Sequence, residues 1–251
     1  MPWLSDSDID SYRRNGWIIV DDVLSVDVPT LQKYVTEVSE WGTDGEWLHH
    51  FERTETGPQL ARTENFTPFH TGMYQLLREG GLVDIAGELL GEEAVLYKEK
   101  INYKLPNGAG FSPHQDKPAY PFVDRILSVM VAVDDATVEN GCLEVVDARH
   151  DVVLDQDERG CITSEIVAQM IWHHVPLRAG QTLFFDALTP HRSRRNATSR
   201  PRRALYPTYN AASEGDLRDE YYAEKLAILS GESDNSRVRL SIIGDFEGVP
   251  V

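Results

Sequence analysis

The sequence predicts a mainly β protein with flanking helices, its strands closed into a sandwich or barrel. Three observations lead there. Short runs of strand length recur through the second half of the chain, at 126–133, 142–146, 172–177, 182–185 and 204–210. Turn-forming Gly, Asn, Asp and Pro separate them, the spacing of an all-β sandwich or barrel. Helical periodicity is confined to the first ninety or so residues and to 216–229. The length, 251 residues with 41% hydrophobic content, suits one domain, 1–251, with a full core.

The elements follow in order. Ser5-Asp6-Ser7-Asp8 ahead of Ile9 and Tyr12 reads as a capped helix, stopped by Asn15-Gly16. Residues 17–20 form a buried strand. Residues 25–38 form an amphipathic helix with Val28, Leu31, Val35 and Val38 on one side. Residues 41–57, rich in Gly, Trp, Glu and His, read as a loop and a candidate lid. His49 and His50 within it read as surface histidines rather than ligands. Arg62-Thr63-Glu64-Asn65-Phe66 leads into helical stretches at 70–77 and 82–90, the second closed by Gly91. Residues 95–105 alternate, with Leu96, Lys98, Lys100, Asn102 and Lys104 on one face. That face either meets solvent or walls a pocket that receives carboxylates. Residues 126–133 are a nearly continuous apolar strand, and Asn140-Gly141 turns a hairpin that returns through 142–146. A last helix over 216–229 precedes a polar loop, 230–236, and a tail to 251 with no nameable chemistry.

Composition excludes several classes. The net charge of −17 argues against nucleic acid and anionic membrane as partners. No run of about 18 apolar residues exists to span a membrane. Met1-Pro2-Trp3 leads straight into polar residues, so no signal peptide is expected. Cys142 and Cys161 are the only cysteines and read as reduced thiols of a cytoplasmic protein.

The chemistry centres on Phe111-Ser112-Pro113-His114-Gln115-Asp116. In an extended chain His114 and Asp116 point to one side and can present a nitrogen and an oxygen to one ion. Two histidines and one carboxylate make the facial triad of non-haem Fe(II) oxygenases, which leaves coordination positions open. Far downstream, an apolar strand ending at Asp186 is followed by His191, Ser193, Asn196, Thr198 and Arg202.

This His-x-Ser-x-x-Asn-x-Thr-x-x-x-Arg pattern behind a His-x-Asp resembles the phytanoyl-CoA dioxygenase family. Residues 5–20, Lys100-Ile101-Asn102-Tyr103-Lys104 and Asn140-Gly141-Cys142-Leu143 match further parts of it. Within the family the chain resembles small bacterial members such as aminoalkylphosphonate dioxygenases and ectoine hydroxylases. One departure is visible: the family's Pro-Gly-Ser-His is here Asp147-Ala148-Arg149-His150.

The resemblance implies a double-stranded β-helix (a cupin-like jelly roll) that uses Fe(II), 2-oxoglutarate and O2, with ascorbate as reductant in vitro. His114, Asp116 and His191 are the implied iron ligands. Arg202 would hold the distal carboxylate of 2-oxoglutarate, a task its planar fork suits. Ser193, Thr198, Asn102 and Lys98 would assist it, and Phe111 would wall the site. Arg62, Asn65, Lys100 and Tyr120 would meet the substrate. An ammonium group would suit the ring of Tyr120, Phe122 or Trp172. With Asp116 present, hydroxylation is expected rather than halogenation. The expected substrate is a 2-aminoethylphosphonate-type compound, oxidised at the carbon next to phosphorus. The alternatives are a small amino acid, an ectoine-like osmolyte or a secondary metabolite. A non-oxidative cupin-like metal-binding module is the alternative of another class, though it would have no use for Arg202. No partner beyond a small molecule is expected, and the protein is read as a monomer or homodimer.

Overall fold

A computed structural model describes residues 2–54, 57–120 and 122–230 and the short strand Val249–Pro250. Twelve strands form two antiparallel sheets among the described residues. They are β1 (Trp17–Val20), β2 (Leu48–Thr54), β3 (Gly57–Glu64), β4 (Ala94–Lys104), β5 (Phe111–His114), β6 (Ile126–Ala132), β7 (Leu143–Val145), β8 (His173–Val175), β9 (Thr182–Asp186), β10 (His191–Ser193), β11 (Arg202–Ala211) and β12 (Val249–Pro250). The large sheet runs β1-β9-β6-β11-β4-β3-β2-β12, and the small one β5-β10-β7-β8. The facing sheets are the expected jelly roll.

Helices α1 (Asp6–Asn15), α2 (Val28–Ser39), α3 (Thr71–Arg78) and α4 (Gly81–Leu90) cover one face of the large sheet. The short α5 (Ser164–Val167) sits in the loops, and α6 (Arg218–Leu229) lies against β4. Local chemistry sets the helix ends. Ser5 and Asp8 form a reciprocal capping box on α1, and Gly16 ends it at φ +85°. Asp27 caps α2 through the Thr30 amide, so the helix starts three residues later than the periodicity predicts.

Burial explains the apolar run of β6. Leu127, Val129 and Val131 face the helices, while Met130 and Ala132 face the small sheet. With both faces covered, alternation disappears. The small-sheet side forms the interior, where Met130, Ala132, Leu183, Phe185 and Ala204 meet Cys142, Leu143, Val145 and Val175. The site opens at one end of this interior.

Three expectations are corrected. Residues 48–54 are a strand, not a loop, paired with β3 from Leu48↔Glu64 onward. Polar residues conceal it. His49 is buried because Thr63 Oγ1 at 2.8 Å and the Trp41 carbonyl at 3.2 Å satisfy its ring, and buried His50 sits 3.5 Å from Glu64. Second, the face of β4 breaks at Tyr97. Lys98 pairs with Thr208 but Leu96 with Tyr209, leaving Tyr97 as the extra residue of a bulge. Leu96 therefore joins the helix-side core with Ile101 and Tyr103, while Tyr97 packs with Tyr120 beside Lys98. Third, β6 and β7 make no hairpin: the Asn140-Gly141 turn carries the chain from the large sheet to the small one. The polar loop and tail expected over 231–248 lie outside the described residues.

Candidate active site

His114 and His191 are direct cross-strand partners of β5 and β10. Their ring centroids lie 4.1 Å apart. Asp116 Oδ1 sits 3.7 Å from His114 Nε2 and 3.8 Å from His191 Nε2. Strand alternation is not what brings Asp116 there: β5 ends at His114, and Asp116 has turned into helical backbone ahead of the short turn Lys117–Ala119. Buried Gln115 fixes that bend, donating from Nε2 to the Val152 and Leu188 carbonyls and accepting from the Leu154 amide.

Each ligand is oriented by a partner. His114 Nδ1 bonds the Ser112 carbonyl at 2.7 Å and His191 Nδ1 the Thr189 carbonyl at 3.0 Å. A carbonyl only accepts, so each Nδ1 carries the hydrogen and each Nε2 presents a lone pair. Asp116 Oδ2 accepts from Ser128 Oγ at 2.5 Å, which leaves Oδ1 to converge with the two nitrogens. Burial, and then His191, depresses His114 to about 3, so both it and an ionised Asp116 are ready to ligate at neutral pH. Burial opposes the charge on Asp116, but His191, Lys100 and His114 together hold its pKa well below the ordinary carboxylate value. One oxygen and two imidazole nitrogens fit iron(II), and these three residues are the metal-ligating group among the described residues.

Two cavities meet at the site. The first, about 410 Å³ including its mouth, contains the triad with Lys100, Asn102, Phe111, Phe185 and Tyr206. The second, about 360 Å³, contains Arg202 with Asn102, Lys104 and Phe111. Asn102 and Phe111 line both. Arg202 is 2% exposed; Nη2 donates to the Gly141 carbonyl at 3.0 Å, while Nε and Nη1 have no protein acceptor. Such donors are costly to bury unless a ligand carboxylate completes them. Lys104 holds the same Gly141 carbonyl at 3.3 Å, together with Ser193 Oγ at 2.9 Å and the Arg194 carbonyl. Gly141 tolerates this crowding because it lacks a Cβ, which would lie 2.2 Å from the Arg194 carbonyl oxygen. Its φ is +76°, which also favours glycine. Burial, and then the Arg202 charge, lowers Lys104 to about 7.

The other expected residues fall outside these two cavities. Ser193 serves Lys104. Thr198 binds the Asn196 side chain, and Asn196 Nδ2 bonds the Lys104 and Arg200 carbonyls, so Asn-x-Thr builds the turn that delivers Arg202 rather than touching a ligand. Asn65, at φ +57°, bridges the Glu46 carbonyl and Arg218. Lys98 is fully buried, its Nζ 4.6 Å from the Tyr120 ring centre and without a hydrogen-bond partner. Burial, and then Lys100, depresses its pKa. The Tyr120 ring expected to take a substrate ammonium thus already holds Lys98, and the Trp172 ring holds Arg192 at 4.2 Å. Arg62 donates from Nε to Asn102 Oδ1 at 3.1 Å.

Sequence reasoning missed Ser128, Lys104, Gln115, Glu64 and Lys225. Ser128 had a signal, as the lone polar side chain in the apolar run 126–133. Lys225 had none, because its partner Glu64 is 161 residues away.

Comparison with known proteins agrees with this geometry. A methylphosphonate hydroxylase of Gimesia maris is 45% identical over 98% of this chain and 97% of its own length. A 2-aminoethylphosphonate dioxygenase from uncultured bacterium HF130_AEPn_1 is 33% identical over 90% of this chain and 88% of its own. The crystal structure of EctD from S. alaskensis with 2-oxoglutarate and 5-hydroxyectoine superposes with a TM-score of 0.75 at 25% identity, covering 85% of this chain and 78% of that one. The phytanoyl-CoA dioxygenase (PhyH) family model matches residues 12–204, and with a His–Asp–His iron site beside a waiting arginine this chain belongs to that family of iron(II)- and 2-oxoglutarate-dependent dioxygenases.

Proposed function

We propose that this enzyme hydroxylates the carbon bonded to phosphorus in a small organophosphonate. The observation that carries the reading is Lys100. It reaches the iron cavity from β4, makes no hydrogen bond among the described residues, and lies 5.3 Å from the Tyr206 ring and within reach of the Asp116 charge. Burial, and then Arg62, lowers it to about 8, so it is still largely charged at neutral pH. A cation facing a partly apolar cavity calls for an anionic substrate group. Two relatives named for phosphonate substrates support the identity of that group.

The side chains divide the work. His114, Asp116 and His191 would hold iron(II), with the face toward the cavity left open. Arg202 and Asn102 receive 2-oxoglutarate, and Lys100 sets the phosphonate so that its carbon faces the triad. Phe111, Phe185 and Leu143 exclude water. Iron, 2-oxoglutarate and O2 together supply the oxidant that removes hydrogen from an aliphatic C–H.

The test is succinate release by the iron-loaded enzyme offered methylphosphonate, 2-aminoethylphosphonate, ectoine or a free amino acid. Phosphonate-dependent succinate with the matching 1-hydroxyphosphonate supports the proposal. Coupled turnover on ectoine or the amino acid alone would overturn it. Lys100→Met should raise the phosphonate KM at least tenfold.

A further inference from the structure

We propose that Arg62 is a positioning residue for 2-oxoglutarate: it locks the Asn102 amide so that its N–H groups face the cosubstrate. Arg62 and Asn102 are register partners across β3 and β4. Arg62 is 3% exposed and lines neither cavity, whereas Asn102 lines both, between the iron triad and Arg202. The contact runs from Arg62 Nε to Asn102 Oδ1 at 3.1 Å. A guanidinium only donates, so the amide atom it meets has to be the oxygen. Asn102 Nδ2 then remains for the ligand, and no protein acceptor is found for it among the described residues.

Arg62 is itself held. Its Nη1 lies 3.5 Å from Glu64 Oε1, and Glu64 Oε2 is bonded by Lys225 Nζ of α6 at 2.5 Å. A chain of buried contacts thus runs from α6 through Glu64 and Arg62 to the cosubstrate cavity. Flipping the amide would set Nδ2 against the Nε–H and turn Oδ1 toward a carboxylate, two repulsive contacts at once. Preorganisation of this kind lowers the ordering cost of binding. The inference rests on 2-oxoglutarate occupying these cavities and is independent of which C–H is oxidised.

Two substitutions separate the Nε donor from the charge. Arg62→Lys keeps a cation beside Glu64 but puts a methylene where Nε–H stood. Arg62→Gln places a side-chain NH2 near the Nε position and removes the charge. The readout is the calorimetric Kd of 2-oxoglutarate for the full chain loaded with Mn(II), with a melting curve for each variant. Arg62→Lys should weaken 2-oxoglutarate about tenfold or more, the worth of a hydrogen bond with a charged donor. Arg62→Gln should stay within about twofold of wild type. In an Asn102→Ala background neither change should weaken it further. The reverse ranking would overturn the proposal, since charge rather than the Nε donor would then be what counts. So would losses that persist without Asn102, or Arg62→Lys weakening methylphosphonate while 2-oxoglutarate is unaffected. If Arg62→Gln melts too low to assay, Asn102→Asp decides. It keeps the acceptor for Arg62, removes the N–H groups and should abolish measurable 2-oxoglutarate binding; retained binding would sink the idea.

Discussion

Arg202 and Arg203 are sequence neighbours with opposite duties because a strand alternates its faces. Arg202 waits in the cavity with two free donors. Arg203 points to the helices and pairs with Asp134 at 2.7 Å and Thr36 of α2 at 3.0 Å. Losing a desolvated charge pair with a ligand costs on the order of 2–5 kcal/mol. Arg202→Ala should therefore raise the 2-oxoglutarate KM at least tenfold, while Arg203→Ala should lower the melting temperature and leave that KM near wild type. Ala148 offers a second test. It occupies φ +53°, where the family pattern has glycine. Left-handed backbone costs a residue bearing a Cβ roughly 1–2 kcal/mol. Ala148→Gly should stabilise the protein by about 0.5–1 kcal/mol in urea denaturation, once the added freedom of the unfolded chain is counted.

At the scale of elements, α6 is fastened to the strands by two basic residues seven apart, on one helix face. Arg218 bonds Glu99 at 2.6 and 3.1 Å, and Lys225 bonds Glu64. All four side chains are buried. Removing one partner of such a pair costs on the order of 3–5 kcal/mol because the other charge is stranded. Lys225→Met should lower unfolding free energy by about 3 kcal/mol, at the lower end because Arg62 and His50 remain beside Glu64. The hairpin of β2 and β3 carries a pH signature. Burial depresses His50 from 6.5 to about 4, with Arg62 and Lys225 adding to the effect and Glu64 opposing it. Between those two values the unfolded chain takes up a proton that folded His50 refuses. Stability should fall as pH drops from about 6.5 to about 4, by at most about 3 kcal/mol from this residue. His50→Gln should flatten that part of the curve.

For the whole molecule, the triad ties the two ends of the small-sheet pair β5–β10 to the large sheet through Ser128 of β6. A metal that binds only the folded arrangement stabilises it by about 2.7 kcal/mol at one hundred times its Kd. Fe(II) or Mn(II) should raise the melting temperature of wild type and leave that of His191→Ala unchanged. Iron retained by both His114→Ala and His191→Ala would sink the ligand assignment. Among the described residues no helix is long and apolar enough to cross a membrane.

Local spacing in the sequence paired His114 with Asp116 and set Arg202 and Arg203 on opposite faces, while the jelly roll, His191 as third ligand and the part expected of Arg202 rested on the resemblance to the phytanoyl-CoA dioxygenase family. Local spacing also placed the Asn140-Gly141 turn, but not its purpose. Only the tertiary structure shows that this turn joins two sheets and delivers the Gly141 carbonyl to Arg202 and Lys104. The 48–54 strand stayed hidden because its polar side chains find partners inside the protein, His49 in Thr63 and the Trp41 carbonyl and His50 beside Glu64, and no apolar period marks it. The bulge at Tyr97 was equally invisible, since an extra residue shows itself only against the partner strand. The roles of Asn65, Thr198 and Lys98 changed for one reason. A polar side chain near a site in sequence says nothing about which buried acceptor claims it, and that is settled by partners as distant as Arg218, 153 residues from Asn65.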